Sequence, residues 1–198
     1  MPSVQPFHAL VYPLNLSEMR KISEKYAQRA ANSMALLGII PFRHQPPNPN
    51  REKSRIHVGY VSSDLGNHPL SHLMQSVFGF HDKNRFQVTC YALSQNDNSI
   101  YRRKIEDEVE RICDISALQP ADAANLIYND NVDILINLNG YTKGARNEIF
   151  SLQPAPIQVS YMGFCGTMGA NYIQYLVSDH VVIPPTARPH YTENILYM

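Results

Sequence analysis

The sequence has no excess of charge of either sign: 17 lysines and arginines balance 17 aspartates and glutamates. Without a basic surplus, nucleic acid is not expected as the main partner. Long apolar runs are missing as well. The longest, around Met34 to Ile40, falls far short of the roughly 20 residues a membrane span needs, so no membrane partner is expected. The opening residues MPSVQPFHAL have neither a charged n-region nor a long h-region, and a signal peptide is not expected. Cysteine is scarce: Cys90, Cys113 and Cys165 are scattered, odd in number and without a C-x-x-C pair. That argues against a disulfide framework or a zinc site and suits a reducing compartment. Asn15-Leu16-Ser17 matches the N-glycosylation triplet, but without a secretory signal it reads as a chance match. No internal repeat and no low-complexity tract is visible. What is present is a globular composition, 44% hydrophobic and 17% charged over 198 residues. That fits one domain of ordinary size, or one domain with an extension.

The chain divides near residue 45. Residues 17–37 carry apolar side chains at three- and four-residue steps (Met19, Ile22, Tyr26, Ala30, Met34, Leu37). With Ser17 as N-cap, and Gly38 then Pro41 as stops, they predict one amphipathic helix. HQPPNPNREKS (44–54) reads as a linker or surface loop. From Arg55 the pattern alternates. IHVGYVSS is a strand, and 69–80 a helix with Pro69 first and Leu70, Leu73, Met74, Val77 and Phe78 on one face. FQVTCYAL is a strand, 100–111 a charged helix and ICDIS a strand. ADAANLIYND is a helix starting near Pro120, VDILINLNG a strand, 145–152 a short helix and APIQVSYMGF a strand. YIQYLVSDHVVI is helix or strand, and ENILYM breaks off partway into what reads as a further strand, so a fragment is expected. Strands alternating with helices predict an α/β fold built on an open parallel sheet covered on both faces.

In such sheets ligands bind beyond the carboxyl ends of the strands. Three loops expected there are polar or glycine-rich: SSDLGNHP (62–69), NLNGYTKGAR (137–146) and GFCGTMGA (163–170). With Pro69 as the first helical residue, His68 is the N-cap and Asp64 lies at the strand end. A histidine beside a helix N-terminus feels positive potential, which favours the neutral ring and one hydrogen bond to give or take. The same two residues equally suit a purely structural cap and turn. In the second loop Asn137, Asn139, Gly140, Tyr141, Thr142, Lys143 and Arg146 offer amides and cations to an anion, or simply form a turn. The third loop, G-x-x-G-x-x-G, is not the dinucleotide fingerprint; its glycines permit tight turns or close approach to a ligand. His68 and His72 are four apart, but no third metal ligand is identifiable. There is no P-loop, nucleophile elbow or zinc-protease motif.

VGYVSSDLGNHPLSHLMQS, CYALS and ILINLNGYTKGARNEIFSLQPAPIQVSYMGFCGTMGA closely resemble the catalytic region of the O-GlcNAc transferase family. The resemblance runs from about His8 to the end and covers the N-terminal half of that region. It implies the N-terminal Rossmann-like half of a GT-B glycosyltransferase over 46–198, incomplete at its C-terminus. Residues 1–45 then form a helical segment leading into it. The implied reaction moves N-acetylglucosamine from UDP-GlcNAc to a serine or threonine hydroxyl of nuclear and cytoplasmic proteins. It proceeds with inversion, without an essential metal or a cofactor. That requires an acceptor held in line, a route for its proton and stabilisation of the departing diphosphate.

By the same resemblance, Asp64 matches an aspartate proposed to relay the proton and His68 a sugar-contacting histidine. Met162 and Gly163 match the backbone pair that approaches the sugar. Leu70 stands where a donor-contacting threonine is common. HALVYPL resembles a segment with two adjacent histidines, the first assigned as the base. Phe7 occupies that position here and His8 alone remains. The family's nucleotide-binding half and its tetratricopeptide superhelix, partners of this region, lie outside the chain. The chain alone is therefore expected to be inactive. The alternatives are a non-catalytic interaction module derived from a truncated transferase and a glycosyltransferase acting on small molecules.

Overall fold

The structure is a computed structural model in which residues 4–45 and 55–198 are described. The linker read at 44–54 lies, for residues 46–54, outside the described residues. A short helix, α1 (Pro6–Ala9), precedes the long α2 (Leu16–Leu36). The N-cap of α2 is Asn15, not Ser17. Asn15 Oδ1 accepts the Glu18 amide at 2.9 Å, and Glu18 Oε2 accepts the Asn15 amide at 2.9 Å. This reciprocal box satisfies two amides that a Ser17 start would orphan. At the other end Gly38 takes φ +73°. Its amide donates to Ala35 O and that of Ile39 to Met34 O, a Schellman closure that only an unhindered left-handed residue gives cheaply.

The remaining elements follow as β1 (Ile56–Ser62), α3 (Pro69–Met74), a 3₁₀ turn (Phe78–Phe80), β2 (Phe86–Ala92), α4 (Ile100–Glu108) and β3 (Arg111–Asp114). Then come α5 (Pro120–Asn129), β4 (Ile134–Asn137), α6 (Asn147–Ser151), β5 (Ile157–Ser160), β6 (Tyr175–Ser178), a second 3₁₀ turn (Arg188–His190) and β7 (Asn194–Tyr197). The ambiguous segment 172–183 thus contains a strand, though only over Tyr175–Ser178. Several expected elements are shorter, two of them with a clear physical reason. The helix expected over 69–80 ends at Met74, and Leu73 is 68% exposed rather than on the core face. Ser71 takes that face instead, because its hydroxyl donates to Asp64 O at 2.5 Å and accepts the Gly66 amide at 3.2 Å. The strand expected over 155–164 stops at Ser160, where the chain turns through Met162 at φ +63°.

Among the described residues seven strands form one parallel sheet, in the order β3-β2-β1-β4-β5-β6-β7. This is the Rossmann order with one strand added. The chain winds outward through β2 and β3 on one side of β1, then returns to start β4 on the other. Both faces are covered, so β1 is buried from His57 to Ser62, as parallel sheets require. Neighbouring residues serve opposite faces. Val58 and Tyr60 pack with Leu70, Met74, Phe78 and Ile105. Val61 and Leu135 pack with Ala27, Met34, Ile127 and Ile149. Helix α2 therefore shares the sheet's own core. Tyr141 Oη donates to Met168 O at 2.6 Å and reaches Ser23 O at 3.1 Å, while Tyr172 Oη reaches Ala27 O at 3.3 Å. Among the described residues no helix is long and apolar enough to cross a membrane.

The opposite rim, at the strands' amino ends, carries a structural polar network. His57 is buried, with Nδ1 against Asp130 O at 3.1 Å and Nε2 against Thr89 Oγ1 at 2.8 Å. One proton on Nδ1 satisfies both contacts. Burial lowers its pKa below the ordinary 6.5, partly opposed by the Asp130 carbonyl and the carboxylates of Asp130 and Asp133.

Candidate active site

The reversal of winding separates the loops that leave β1 and β4, and a crevice opens at that switch point. It holds a cavity of about 610 Å³. Its polar wall is Ser63, Asp64, His68, Thr142 and Lys143. Its apolar wall is Phe7, Leu70, Leu73 and Met162, and Gly144 and Gly163 complete the lining. Five of the six residues singled out from the sequence therefore meet in one place: Asp64, His68, Leu70, Met162 and Gly163. The sixth, His8, does not line the cavity. On the single turn of α1 it is Phe7 that reaches the cleft. His8 is exposed, edge-on to the Phe7 ring at 6.1 Å between centroids.

His68 caps α3 as the Pro69 signal implied. Its Nδ1 accepts the Leu70 amide at 3.2 Å and stands 3.8 Å from Asp64 Oδ2. Nδ1 must keep its lone pair for the cap, so in the neutral ring the proton sits on Nε2. The ring is half exposed and has that N–H to offer a ligand. Asp64 is more enclosed. Its Oδ1 accepts the Ser63 hydroxyl at 2.9 Å and its Oδ2 the Asn139 side-chain amide at 2.9 Å. Leu70 adds no polar atom: its amide is spent on His68 and its side chain is buried.

The Met162–Gly163 corner is built for close approach. The Gly163 amide donates back to Tyr161 O at 2.8 Å across Met162 at φ +63°, the strained form of γ-turn. A Cβ on Gly163 would lie 1.9 Å from Leu138 O, so the β4 and β5 loops touch backbone to backbone there. The other glycines of that loop serve packing. A Cβ on Gly166 would meet the Phe164 ring, and one on Gly169 the α2 backbone at Glu24.

Two members of the β4 loop do not face a ligand. Arg146 donates to Ile115 O at 3.0 Å and to Leu118 O, bracing the β3–α5 loop. Tyr141 is buried into α2, and desolvation raises its phenol pKa well above the ordinary 10. The cations and amides expected from this loop reduce at the cleft to Lys143 on the rim, with Thr142 and Gly144 beside it. Ser63, Thr142 and Lys143 belong to loops the sequence had marked. Leu73 carried no signal, because helical periodicity assigned it to the core. His72 turns away from His68, with Nε2 at 3.1 Å from Asn67 Oδ1 and its ring 4.0 Å from that of Tyr101. Among the described residues no three His, Cys, Asp or Glu side chains gather as a metal site would require.

Residues 1–198 match the family model described as glycosyl transferase family 41. Over its whole length the chain is 51% identical to the probable UDP-N-acetylglucosamine–peptide N-acetylglucosaminyltransferase SEC of Arabidopsis thaliana, covering 21% of that protein. It is 44% identical to the UDP-N-acetylglucosamine–peptide N-acetylglucosaminyltransferase of Caenorhabditis elegans, covering 18% of it. The chain thus spans about a fifth of the length of the curated relatives it matches. Among solved structures, a mutant of the Thermobaculum terrenum O-GlcNAc transferase superposes with a TM-score of 0.83 at 26% identity. The match covers 94% of this chain and 34% of that one.

Proposed function

The chain belongs to glycosyl transferase family 41, and from this premise we propose that it forms the N-terminal half of the catalytic region of a protein O-GlcNAc transferase. The enzyme transfers N-acetylglucosamine from UDP-GlcNAc to serine and threonine hydroxyls of nuclear and cytoplasmic proteins. The observation that carries the reading is the switch-point cleft. It unites Asp64, His68, Met162 and Gly163, drawn from loops a hundred residues apart in sequence, and each matches a position the family uses on the sugar and acceptor side.

The acceptor oxygen attacks the anomeric carbon from the face opposite the diphosphate. The carbon–oxygen bond to the diphosphate breaks, UDP leaves, and the acceptor proton departs by way of Asp64. His68 offers Nε2–H to the donor sugar while Nδ1 stays committed to the cap. The side-chain-free edge at Gly163 lets the sugar lie against backbone. His8 is exposed next to Phe7 and enters the chemistry only if α1 turns. The donor is a substrate, and no cofactor or metal enters the scheme. The diphosphate is held by the C-terminal half of the catalytic region, and the acceptor protein is presented by a tetratricopeptide region. The polypeptide 1–198 alone is inactive, since loss of even one diphosphate donor costs roughly 10²- to 10³-fold.

The test is transfer from UDP-GlcNAc to a serine- or threonine-bearing peptide by the protein immunopurified from its source cells through residues 100–111. Transfer that vanishes in H68A and D64N, with none by polypeptide 1–198, is the expected result. Undiminished transfer by both variants, or turnover by polypeptide 1–198, would overturn the reading.

A further inference from the structure

We propose that Asn139 is a positioning residue for the transfer, acting through the Asp64 carboxylate. The inference rests on the reading of Asp64 given above. Asn139 is 1% exposed and sits at the carboxyl end of β4, two residues past the strand. Its side chain crosses the switch point to the loop after β1. Oδ1 accepts the Ser63 amide at 2.8 Å. Nδ2 reaches Asp64 Oδ2 at 2.9 Å, Ser63 Oγ at 2.9 Å and Thr142 Oγ1 at 3.1 Å.

The orientation of this amide is fixed by its neighbours. A flipped amide would aim its N–H₂ at the Ser63 N–H and its oxygen at the Asp64 carboxylate, pairing donor with donor and acceptor with acceptor. Asn139 is itself anchored. Its amide and that of Gly140 donate to Asn137 Oδ1, each at 2.9 Å, and Asn137 Nδ2 donates to Asn147 Oδ1 at 2.9 Å.

Asp64 has few other restraints. Its Oδ1 is held by the neighbouring Ser63 hydroxyl at 2.9 Å, and His68 Nδ1 is 3.8 Å away and already committed to the Leu70 amide. The Asn139 amide is therefore the long-range bond that sets where the carboxylate points. Aspartate would fit the same space but present an oxygen to an oxygen. Only a neutral side chain with both an acceptor and a donor on one planar group serves here. A carboxylate that takes a proton in flight must be held to within about half an ångström, and misplacement by about 1 Å can cost some 10²-fold in rate.

The test uses the enzyme as its source cells make it, edited at these two positions. N139A is expected to lower kcat about 10²-fold with KM for UDP-GlcNAc unchanged. The double variant N139A/D64N is expected to retain the same residual rate as D64N alone. A loss from N139A that multiplies onto that of D64N, or one confined to KM, would overturn the proposal. A D64N enzyme as fast as wild type would also overturn it, by removing the reading beneath it.

Thermal unfolding of polypeptide 1–198 separates these failures. The hydrogen bond itself predicts that N139D lowers Tm and that N139D/D64N, which reverses donor and acceptor, recovers it. Recovery together with an unaffected D64N rate would place the error in the role given to Asp64. N139D with an unchanged Tm would place it at Asn139.

Discussion

Replacing Gly163 with alanine tests how tightly the two loops of the cleft are held together. The added Cβ would lie 1.9 Å from Leu138 O, 2.7 Å from Leu138 C and 3.0 Å from Asn139 Cα. All three are backbone atoms, so no side-chain rotation relieves the overlap. Ordinary contact needs about 3.4 Å or more, so the β4 and β5 loops must part by more than an ångström. Neither is free to move: the Leu138 amide donates to Val61 O at 3.1 Å, and the Tyr161 amide to Asn137 O at 3.0 Å. Overpacking typically costs about 1–3 kcal/mol, and this position belongs at or above the upper end. For a chain of this size that is a fall in Tm of about 6–12 °C.

Gly38 supplies the control. It has φ +73° and nothing within 4 Å of its would-be Cβ, so G38A carries only the left-handed penalty of about 1 kcal/mol, or about 2–4 °C. Both variants are followed by far-UV circular dichroism during heating. A G163A protein melting no lower than G38A would refute the argument, because it would mean that the backbone contact relaxes freely.

The remaining predictions address other links. Y141F removes a buried donor and leaves Met168 O short of its 2.6 Å partner, which should cost about 1–2 kcal/mol in urea unfolding. N15A removes the capping box of α2 and should cost about 1 kcal/mol by the same measurement. Acidification should weaken the fold through His57. The folded pKa is lowered from 6.5 by burial, so the unfolded chain takes up a proton that the folded one refuses. This contribution is fully present above about pH 6.5 and is lost as pH falls below it towards the folded pKa. Urea midpoints that stay level from about pH 7.5 to about pH 5.5 in wild type, or fall as steeply in H57Q, would count against it. F7H places an imidazole at the cleft where the family's base is assigned and should raise the transfer rate of the source-cell enzyme by at least 10-fold, since a positioned base is worth roughly 10² to 10⁴. An unchanged rate would argue that residue 7 takes no part in the proton's path.

The parts of this fold legible in the sequence are those encoded within a few residues. The Val58–Val61 and Val88–Ala92 runs gave their strands. Pro69 fixed both the start of α3 and the cap role of His68, which the His68 Nδ1 to Leu70 amide bond reproduces. Even the Asn15 cap has a local sign, in Glu18 three residues later. What stayed hidden depends on residues far apart. Periodicity alone puts Leu73 in the core, because only the position of the Asp64 carbonyl shows that Ser71 is needed there instead. Arg146 resembles an anion ligand until the carbonyls of Ile115 and Leu118 are found around it. Phe7 and Met162 share a cavity, though nothing near either residue announces the other. Asn139 stood in a loop already marked, but its partners at Ser63 and Asp64 lie 76 and 75 residues earlier.

The docking of α2 also has a consequence in time. Its buried face is closed by Tyr141 and Tyr172, whose hydroxyls reach back 118 and 145 residues to Ser23 and Ala27. At about 5–20 residues per second of synthesis, the helix leaves the ribosome about 6 to 30 s before its partners exist. Throughout that interval the face of α2 that carries Ala27, Ala30 and Met34 lacks these two closing contacts, even once β1 to β3 have been made.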